Sequence, residues 1–353
     1  MTRPISTEDL DHVLEHSRAA WDGARNARVF LTGGTGFFGT WLTESFAHAN
    51  ERLGLGAALV ILSRDPDAAI SRVPRLAQLP GVSFHRGDVR QFALPEGGFT
   101  HVINAAAESS QQGHVGNHRH MFDTIVDGTR RTLELARHAG ARNYLLVSSG
   151  AVYGSQPPEL SHVPEDFAGA PPLGVASSGY GEGKRAAEVL SAIEAERGAL
   201  SVRVARCFAF VGPHLPLDIH FAIGNFIRDA MRGGPIRIRG DGTAVRSYLY
   251  TADLAAWLWT LALGERAAGA YNVGSENALT ILETAQAVAR VCAPGIEVVV
   301  EGQSLAGARP HRYVPSTQRA RRDLDLTQRI SIDDGIHRTA LWHGWHPIVA
   351  RQT

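Results

Sequence analysis

Cysteine is nearly absent from this 353-residue chain: Cys207 and Cys292 are the only two, both in apolar surroundings. A disulfide framework is therefore excluded as the source of stability, and buried free thiols of a reducing compartment are expected. An excess of charge is missing too. Lys plus Arg (35) equals Asp plus Glu (35), so no overall field draws the protein to nucleic acid or to an anionic membrane. An anionic ligand must be held by local groups. Long apolar runs are also lacking, none approaching the ~18 residues that span a bilayer. The leading Met-Thr-Arg-Pro-Ile-Ser-Thr-Glu-Asp has no signal-peptide core. The expectation is a cytoplasmic protein without membrane or nucleic-acid partners. No internal repeat or low-complexity tract interrupts it.

What is present is a regular alternation of strand and helix patterns. Residues 6–21 predict a short amphipathic helix, capped by Ser6 or Thr7, with Leu10, Val13, Leu14 and Trp21 on one side. It reads as a docking helix laid over the core. From Ala27, strands are predicted at 28–32, 57–62, 82–85, 101–105, 143–148 and 201–208. Helices are predicted at 40–49, 121–139 and 180–197. Strands separated by helices of this length imply an α/β fold: a Rossmann-type, doubly wound parallel sheet. After about Gly212 the alternation breaks, punctuated by Gly233-Gly-Pro235 and Gly240-Asp-Gly242. The domains expected are 1–26, a helical extension; 27–212, the dinucleotide-binding domain; and 213–353, mainly a smaller substrate-binding lobe with chain returning to the main domain. The arginines after Arg309 read as a solvated surface.

The first strand runs into Gly33-Gly34-Thr35-Gly36-Phe37-Phe38-Gly39, and a helix pattern follows. That context gives a glycine triplet its meaning. Gly33 allows the tight turn, Gly36 lets backbone approach a pyrophosphate, and Gly39 lets the helix pack on the strand. The pyrophosphate would rest on the unpaired N–H groups that open the helix. Phe37 and Phe38 belong to the same candidate cofactor contacts. The second strand ends in Ser63 and Arg64, a hydroxyl and a cationic fork, where an acidic residue would select NAD. This favours NADP over NAD, although Asp65 and Asp67 lie close by. Asp88 is placed to bond the adenine amino group, and Val89, Ala105 and Ala106 complete the expected cofactor contacts.

Tyr180 and Lys184 stand four residues apart on one face of a helix start. A nearby ammonium favours phenolate, so the tyrosine can exchange a proton with a sugar oxygen. Lys184 can also bond the nicotinamide ribose. Ser149, at the carboxyl end of the fifth strand, is the third candidate, pointing into the crevice where ligands of open α/β sheets bind. The glycine loop, Ser148-Ser149-Gly150-Ala151-Val152-Tyr153-Gly154 and Tyr180-Gly-Glu-Gly-Lys184 together resemble the extended short-chain dehydrogenase/reductases. Within these the chain resembles the NAD-dependent epimerase/dehydratase family, over about residues 28–345.

The resemblance implies nucleoside-diphosphate sugars as substrates, a homodimer built through a helix bundle, and Ser149, Tyr180 and Lys184 as catalytic residues. Residues 225–227 and 240–248 resemble the family's nucleotide-binding segments. Asn225 and Arg246 are thus candidate substrate ligands, Arg246 for the diphosphate. The segment from Tyr250 to Asp253 reads as structural. Glu108, after the fourth strand, has three open roles: substrate binding, a structural hydrogen bond, or a relocated base. Family dehydratases carry an Asp-Glu pair where this chain has Gly150 and Ala151, and decarboxylases usually keep the glutamate, so elimination chemistry is disfavoured. His114, His118 and His120 lack a metal-site context and read as the surface of a loop entering a helix; no metal is expected. The function expected is an NAD(P)-dependent nucleotide-sugar epimerase working by transient hydride abstraction at carbon 4. The alternative is an NADPH-dependent 4-keto-sugar-nucleotide reductase. An intact Ser149, Tyr180 and Lys184 set argues against a non-catalytic cofactor-binding protein.

Overall fold

The computed structural model describes residues 3–106, 117–219, 221–265, 268–304, 307 and 309–346. Seven strands form its main sheet: β1 (Arg28–Thr32), β2 (Ala58–Ser63), β3 (Val82–Arg86), β4 (His101–Asn104), β5 (Asn143–Ser149), β6 (Ser201–Cys207) and β7 (Gly269–Val273). Their order is β7-β6-β5-β4-β1-β2-β3, and every neighbouring pair is parallel. Parallel strands need crossovers, which put helices on both faces and bury both sides of the sheet. The strand sequences divide by the two-residue period. Val29, Leu31, Leu59, Ile61, Ile103, Leu145 and Val147 enter one core. Phe30, Val60, Leu62, Val102, Tyr144, Leu146 and Val202 enter the other.

The helices are α1 (Thr7–His16), α2 (Phe37–Leu53), α3 (Pro66–Arg72), α4 (His118–His138), α5 (Gly179–Glu196), α6 (Ala222–Met231), α7 (Thr251–Leu263), α8 (Ile281–Cys292), α9 (Gln318–Leu324) and α10 (Ile332–Trp342). Helices α4 and α5 supply Met121, Ile125, Leu133 and Ala187 to the second core. Helix α7 is apolar almost all round because it is buried all round, between the sheet and α1. None of the described helices is long and apolar enough to cross a membrane.

The N-terminal helix is shorter than its sequence pattern predicts. Ser6 caps it by accepting from the Asp9 N–H at 3.1 Å, but Ser17 ends it. The Ser17 hydroxyl donates to the Val13 carbonyl (2.6 Å) and accepts from the Trp21 indole (2.9 Å). The chain therefore turns into a 3-10 segment, Arg18–Ala24, and drives Trp21 against Phe46 and Trp259 in the core. Two buried carboxylates fasten the helix. Asp9 accepts from Tyr250 (2.9 Å) and Arg338 (2.7 Å), and Asp253 pairs with His12 (2.8 Å) while accepting the Arg329 and Ile330 N–H groups. The segment from Tyr250 to Asp253 is accordingly a structural joint.

Beyond Val211 the chain builds short paired strands. Val245–Arg246 lies between Leu279–Thr280 and Arg312–Tyr313, and Ile236–Ile238 pairs with Val298–Val300. Arg309, Arg321, Arg322 and Arg329 are exposed, as expected of the region after Arg309, but apolar residues between them are not. Tyr313 is half-buried, and Val314, Ala320, Ile336 and Ala340 are buried, because α9 and α10 close the bottom of the core. Both cysteines are buried free thiols.

Candidate active site

Strand order reverses between β1 and β4, since β1 continues to β2 on one side while β4 opens the other half. At that switch point the carboxyl ends of the strands diverge and leave a crevice. Here it is a cleft of about 1420 Å3. This exceeds the ~300–1,000 Å3 of a single small-ligand pocket.

The glycine turn forms one wall, and its glycines answer to different constraints. Gly33 has φ +73°, and a Cβ there would lie 2.6 Å from the Ala105 carbonyl oxygen. A Cβ at Gly39 would lie 2.1 Å from the Gly33 oxygen, so α2 could not pack on β1. At Gly36 a Cβ would meet nothing nearer than the Gly33 oxygen at 3.4 Å. Protein packing does not demand that glycine; a ligand approaching the backbone would. Gly36 is also the N-cap of α2 without a side-chain cap, which leaves the first N–H groups of the helix to a partner from outside. These residues fit a dinucleotide pyrophosphate. Thr32 braces the wall: its hydroxyl donates to Asn104 (2.9 Å) and accepts from the Ala105 and Ala106 N–H groups.

Every expected cofactor contact lines the cleft: Gly33, Gly36, Phe37, Phe38, Gly39, Ser63, Arg64, Asp88, Val89, Ala105, Ala106, Tyr180 and Lys184. Asp65 lines it too, but its carboxylate caps α3 by accepting from the Ala68 N–H. Asp67 is tied to Arg86 at 2.5 Å. Arg72, which sequence reasoning passed over, reaches back from α3 to the Thr35 carbonyl (2.8 Å) and lines the same end of the cleft. Asp88 is gripped by Arg90, whose hydrogen bonds hold the carboxyl below its usual range.

At the other end, Ser149 terminates β5 and Tyr180 and Lys184 project from the first turns of α5. Burial pushes the Tyr180 phenol up, and its hydrogen bond with Ser149 is what draws it down. Lys184 is buried and lowered to about 8 by desolvation, and its ammonium donates to the Val147 carbonyl at 2.6 Å. The lysine is anchored on the β5 backbone, and burial is the largest influence on the Tyr180 phenol. The rest of the Ser-Ser-Gly-Ala-Val-Tyr-Gly run is largely structural. Ser148 donates to Glu188 (2.5 Å), which grips Arg206; the Tyr153 hydroxyl donates to Asn272 and accepts from Arg206, each at 2.8 Å.

Of the expected substrate ligands, Ser149 and Arg246 line the cleft and Asn225 does not. The register of α6 turns Asn225 toward Arg228, whose guanidinium it accepts from at 3.0 Å, and brings Ala222 and Ile223 to the cleft instead. Glu108 and His114 lie outside the described residues. His118 was expected on a solvated surface, but it opens α4 at the cleft wall; His120 sits 3.3 Å from Arg90. Among the described residues no group of three His, Cys, Asp or Glu could hold a metal ion. Sequence reasoning also missed Phe208 and Tyr313, which line the cleft and pack against Gly150. No local pattern marks them, because the chain brings them in from distant segments.

A Rossmann sheet whose switch-point cleft joins a glycine turn to a Tyr-x-x-x-Lys helix defines an extended short-chain dehydrogenase/reductase. The NAD dependent epimerase/dehydratase family model matches residues 29–274, and the chain belongs to that family. UDP-glucuronic acid decarboxylase 1 of Arabidopsis thaliana is 31% identical over 319 residues, 90% of this chain and 69% of that protein. The structure of Thermus thermophilus UDP-glucose 4-epimerase in complex with NAD is similar at 25% identity and TM-score 0.71, covering 90% of this chain and 99% of the other. MoeE5 in complex with UDP-glucuronic acid and NAD matches at 26% identity and TM-score 0.71, with the same coverage. The chain is thus an enzyme of a family that handles nucleotide sugars with a nicotinamide dinucleotide.

Proposed function

We propose that this enzyme is a nucleotide-sugar epimerase acting at carbon 4 through a dinucleotide that it retains between turnovers. The observation that carries the reading is the environment of Ser149. The adjoining positions hold Gly150 and Ala151, and a Cβ at Gly150 would lie 2.7 Å from Phe208 and 2.8 Å from the Tyr313 hydroxyl. No carboxylate for elimination stands at either position, and a side chain at residue 150 would collide with Phe208 and Tyr313. Proton exchange with a sugar hydroxyl needs only the phenol, the serine and the lysine.

In this reading residues 27–212 hold the dinucleotide and 213–353 mainly cover the nucleotide sugar. The glycine turn and α2 N-terminus take the pyrophosphate. Arg246 lines the cleft, with its guanidinium donating to the Val245 carbonyl at 2.8 Å, and would take the substrate diphosphate. The bound nicotinamide supplies a hydride acceptor and donor. Tyr180 takes the proton of the sugar hydroxyl and returns it, and Ser149 holds the reacting oxygen. Lys184, neutralised more easily than a free lysine, orients the ribose. The homodimer would form through α4 and α5, whose outer side leaves Val189 and Ile193 about half exposed.

A specific observation keeps a second reading. Arg64 and Arg72 both line the ribose end of the cleft, where two guanidiniums suit a 2′-phosphate. That arrangement favours NADP, and with it a 4-keto-sugar reductase. Incubation with a panel of nucleotide sugars, with and without NADPH, separates the two. An epimerase interconverts sugars with no net change in nicotinamide absorbance, whereas stoichiometric NADPH consumption overturns the epimerase. Arg64→Asp is expected to shift relative affinity toward NAD by about tenfold or more; unchanged relative affinity would reject the role of Arg64.

A further inference from the structure

We propose that His118 selects a nucleoside-diphosphate uronic acid as substrate: its imidazole, with the Ser177 hydroxyl, receives a carboxylate at carbon 6 of the sugar. The inference rests on the reading of Tyr180 as the residue that meets the oxygen on carbon 4.

Glycines place His118. Helices α4 and α5 run side by side in the same direction, since Gly179 faces His118 and Gly183 faces Phe122 and Ile125. A Cβ at Gly179 would lie 3.5 Å from the His118 carbonyl oxygen and 3.7 Å from its Cβ. One at Gly183 would lie 3.4 Å from Ile125 and 3.5 Å from Phe122. The first turns of the two helices therefore meet at the residue before Tyr180. His118 lines the cleft from α4, and Ser177 lines it from the 3-10 segment Ala176–Ser178 that leads into α5.

No described residue uses either nitrogen of the His118 ring. Nδ1 is buried without a hydrogen-bond partner. The large majority of buried polar side-chain atoms have one, so this orphan is not explained by packing within the protein. Nε2 is the nitrogen left to the cleft. An unpaired buried N–H is rarer than an unpaired buried acceptor. Of the two tautomers, the one with its proton on Nε2 therefore fits, and the ring offers the cleft a donor. The Ser177 hydroxyl is exposed at the same end of the cleft and can donate as well.

Sugar chemistry narrows the ligand. With the carbon-4 oxygen at Tyr180, a residue one position away reaches groups on the adjoining carbons, the carbon-3 hydroxyl or carbon 6. Two donors suit an acceptor-only group, and of these two only carbon 6 can be oxidised to a carboxylate. The described acidic residues that line the cleft, Asp65 and Asp88, stand at its far end, where they accept from the Ala68 N–H and from Arg90. Neither opposes a carboxylate beside Tyr180.

The test is calorimetric titration of the dinucleotide-loaded protein with UDP-glucuronate, UDP-glucose and the dTDP derivatives of the same two sugars. Wild type is expected to bind the uronate of one pair about tenfold or more tighter than its neutral sugar, the worth of a hydrogen bond to a charged group. His118→Leu should shrink that preference to within about twofold while affinity for the neutral sugar holds. His118→Gln, whose amide nitrogen can reach the Nε2 position, should keep the preference; His118→Asn, whose amide matches Nδ1, should lose it. Ser177→Ala should weaken it by about threefold. Equal wild-type affinity for uronate and neutral sugar, or binding of neither, would overturn the proposal. So would a preference that survives His118→Leu, or an equal loss of both ligands in that variant. The readout is binding, so it stands apart from the reaction. A His118-dependent uronate preference in an enzyme that releases carbon dioxide or consumes NADPH, and forms no epimer, upholds this inference while rejecting the epimerase.

Discussion

Tyr180 shows how little a spacing says about chemistry until its surroundings are known. Four residues separate it from Lys184, which puts both on one face of α5, and this was readable from the sequence. The sign of the local field was not. Burial raises the phenol and lowers the ammonium to about 8, and the group that draws the phenol down is Ser149. Tyr180→Phe removes the phenol that shares the cleft with Ser149 and Lys184. It should cost about two orders of magnitude or more in kcat while the dinucleotide still binds. Turnover within a few-fold of wild type, measured with the substrate found in the panel, would take Tyr180 out of the mechanism. Glycines carry the same lesson. Gly33 and Gly39 are held by contacts with the Ala105 and Gly33 carbonyls, but Gly36 is held by nothing in the protein. That contrast separates a ligand's demand from a packing demand.

At the scale of elements, β4 illustrates how a strand's polar end constrains its pH range. His101 begins β4, 3% exposed, with its ring nitrogens 2.8 Å from the Thr100 hydroxyl and 3.1 Å from the Asn143 amide. Burial first, then Arg142 and Arg203, lowers it to about 4. The folded state thus binds the proton less readily than the unfolded chain, whose histidine titrates near its ordinary value of 6.5. The associated stability is fully present above pH 6.5 and is lost as pH falls from 6.5 toward 4, up to roughly 3 kcal/mol. Urea midpoints at pH 7 and pH 4.5 should therefore diverge more for wild type than for His101→Gln. Equal acid losses in the two proteins would exclude this strand as the sensitive element.

At the scale of the whole molecule, the N-terminal helix and the C-terminal region join through buried charge. Asp253 on α7 is 1% exposed, pairs with His12 of α1, and accepts both N–H groups that lead into α10. Asp253→Ala leaves those donors buried without an acceptor, which costs about 3 kcal/mol. The melting temperature should fall by about 5 °C, and Asp253→Asn should recover part of it. Scanning calorimetry reads both; a melting temperature unmoved by the alanine would show that the joint is held by Trp21 and its apolar neighbours alone.

The sequence by itself determined the alternating strands and helices, the glycine turn at the end of β1 and the placement of Ser149, Tyr180 and Lys184. All of these follow from the two-residue and 3.6-residue periods and from turn chemistry acting within a few residues. Strand β7 was the exception. Gly269–Val273 is separated from its partner by the short paired strands and α6 and α7, and only pairing with β6 makes it part of the sheet. Tertiary structure alone decided that Asn225 faces Arg228, that His118 lines the cleft and that Tyr313 occupies the space left by Gly150. The reason is physical: side-chain direction within one element follows from local backbone geometry. Contact between distant elements follows from how all the apolar faces are buried at once.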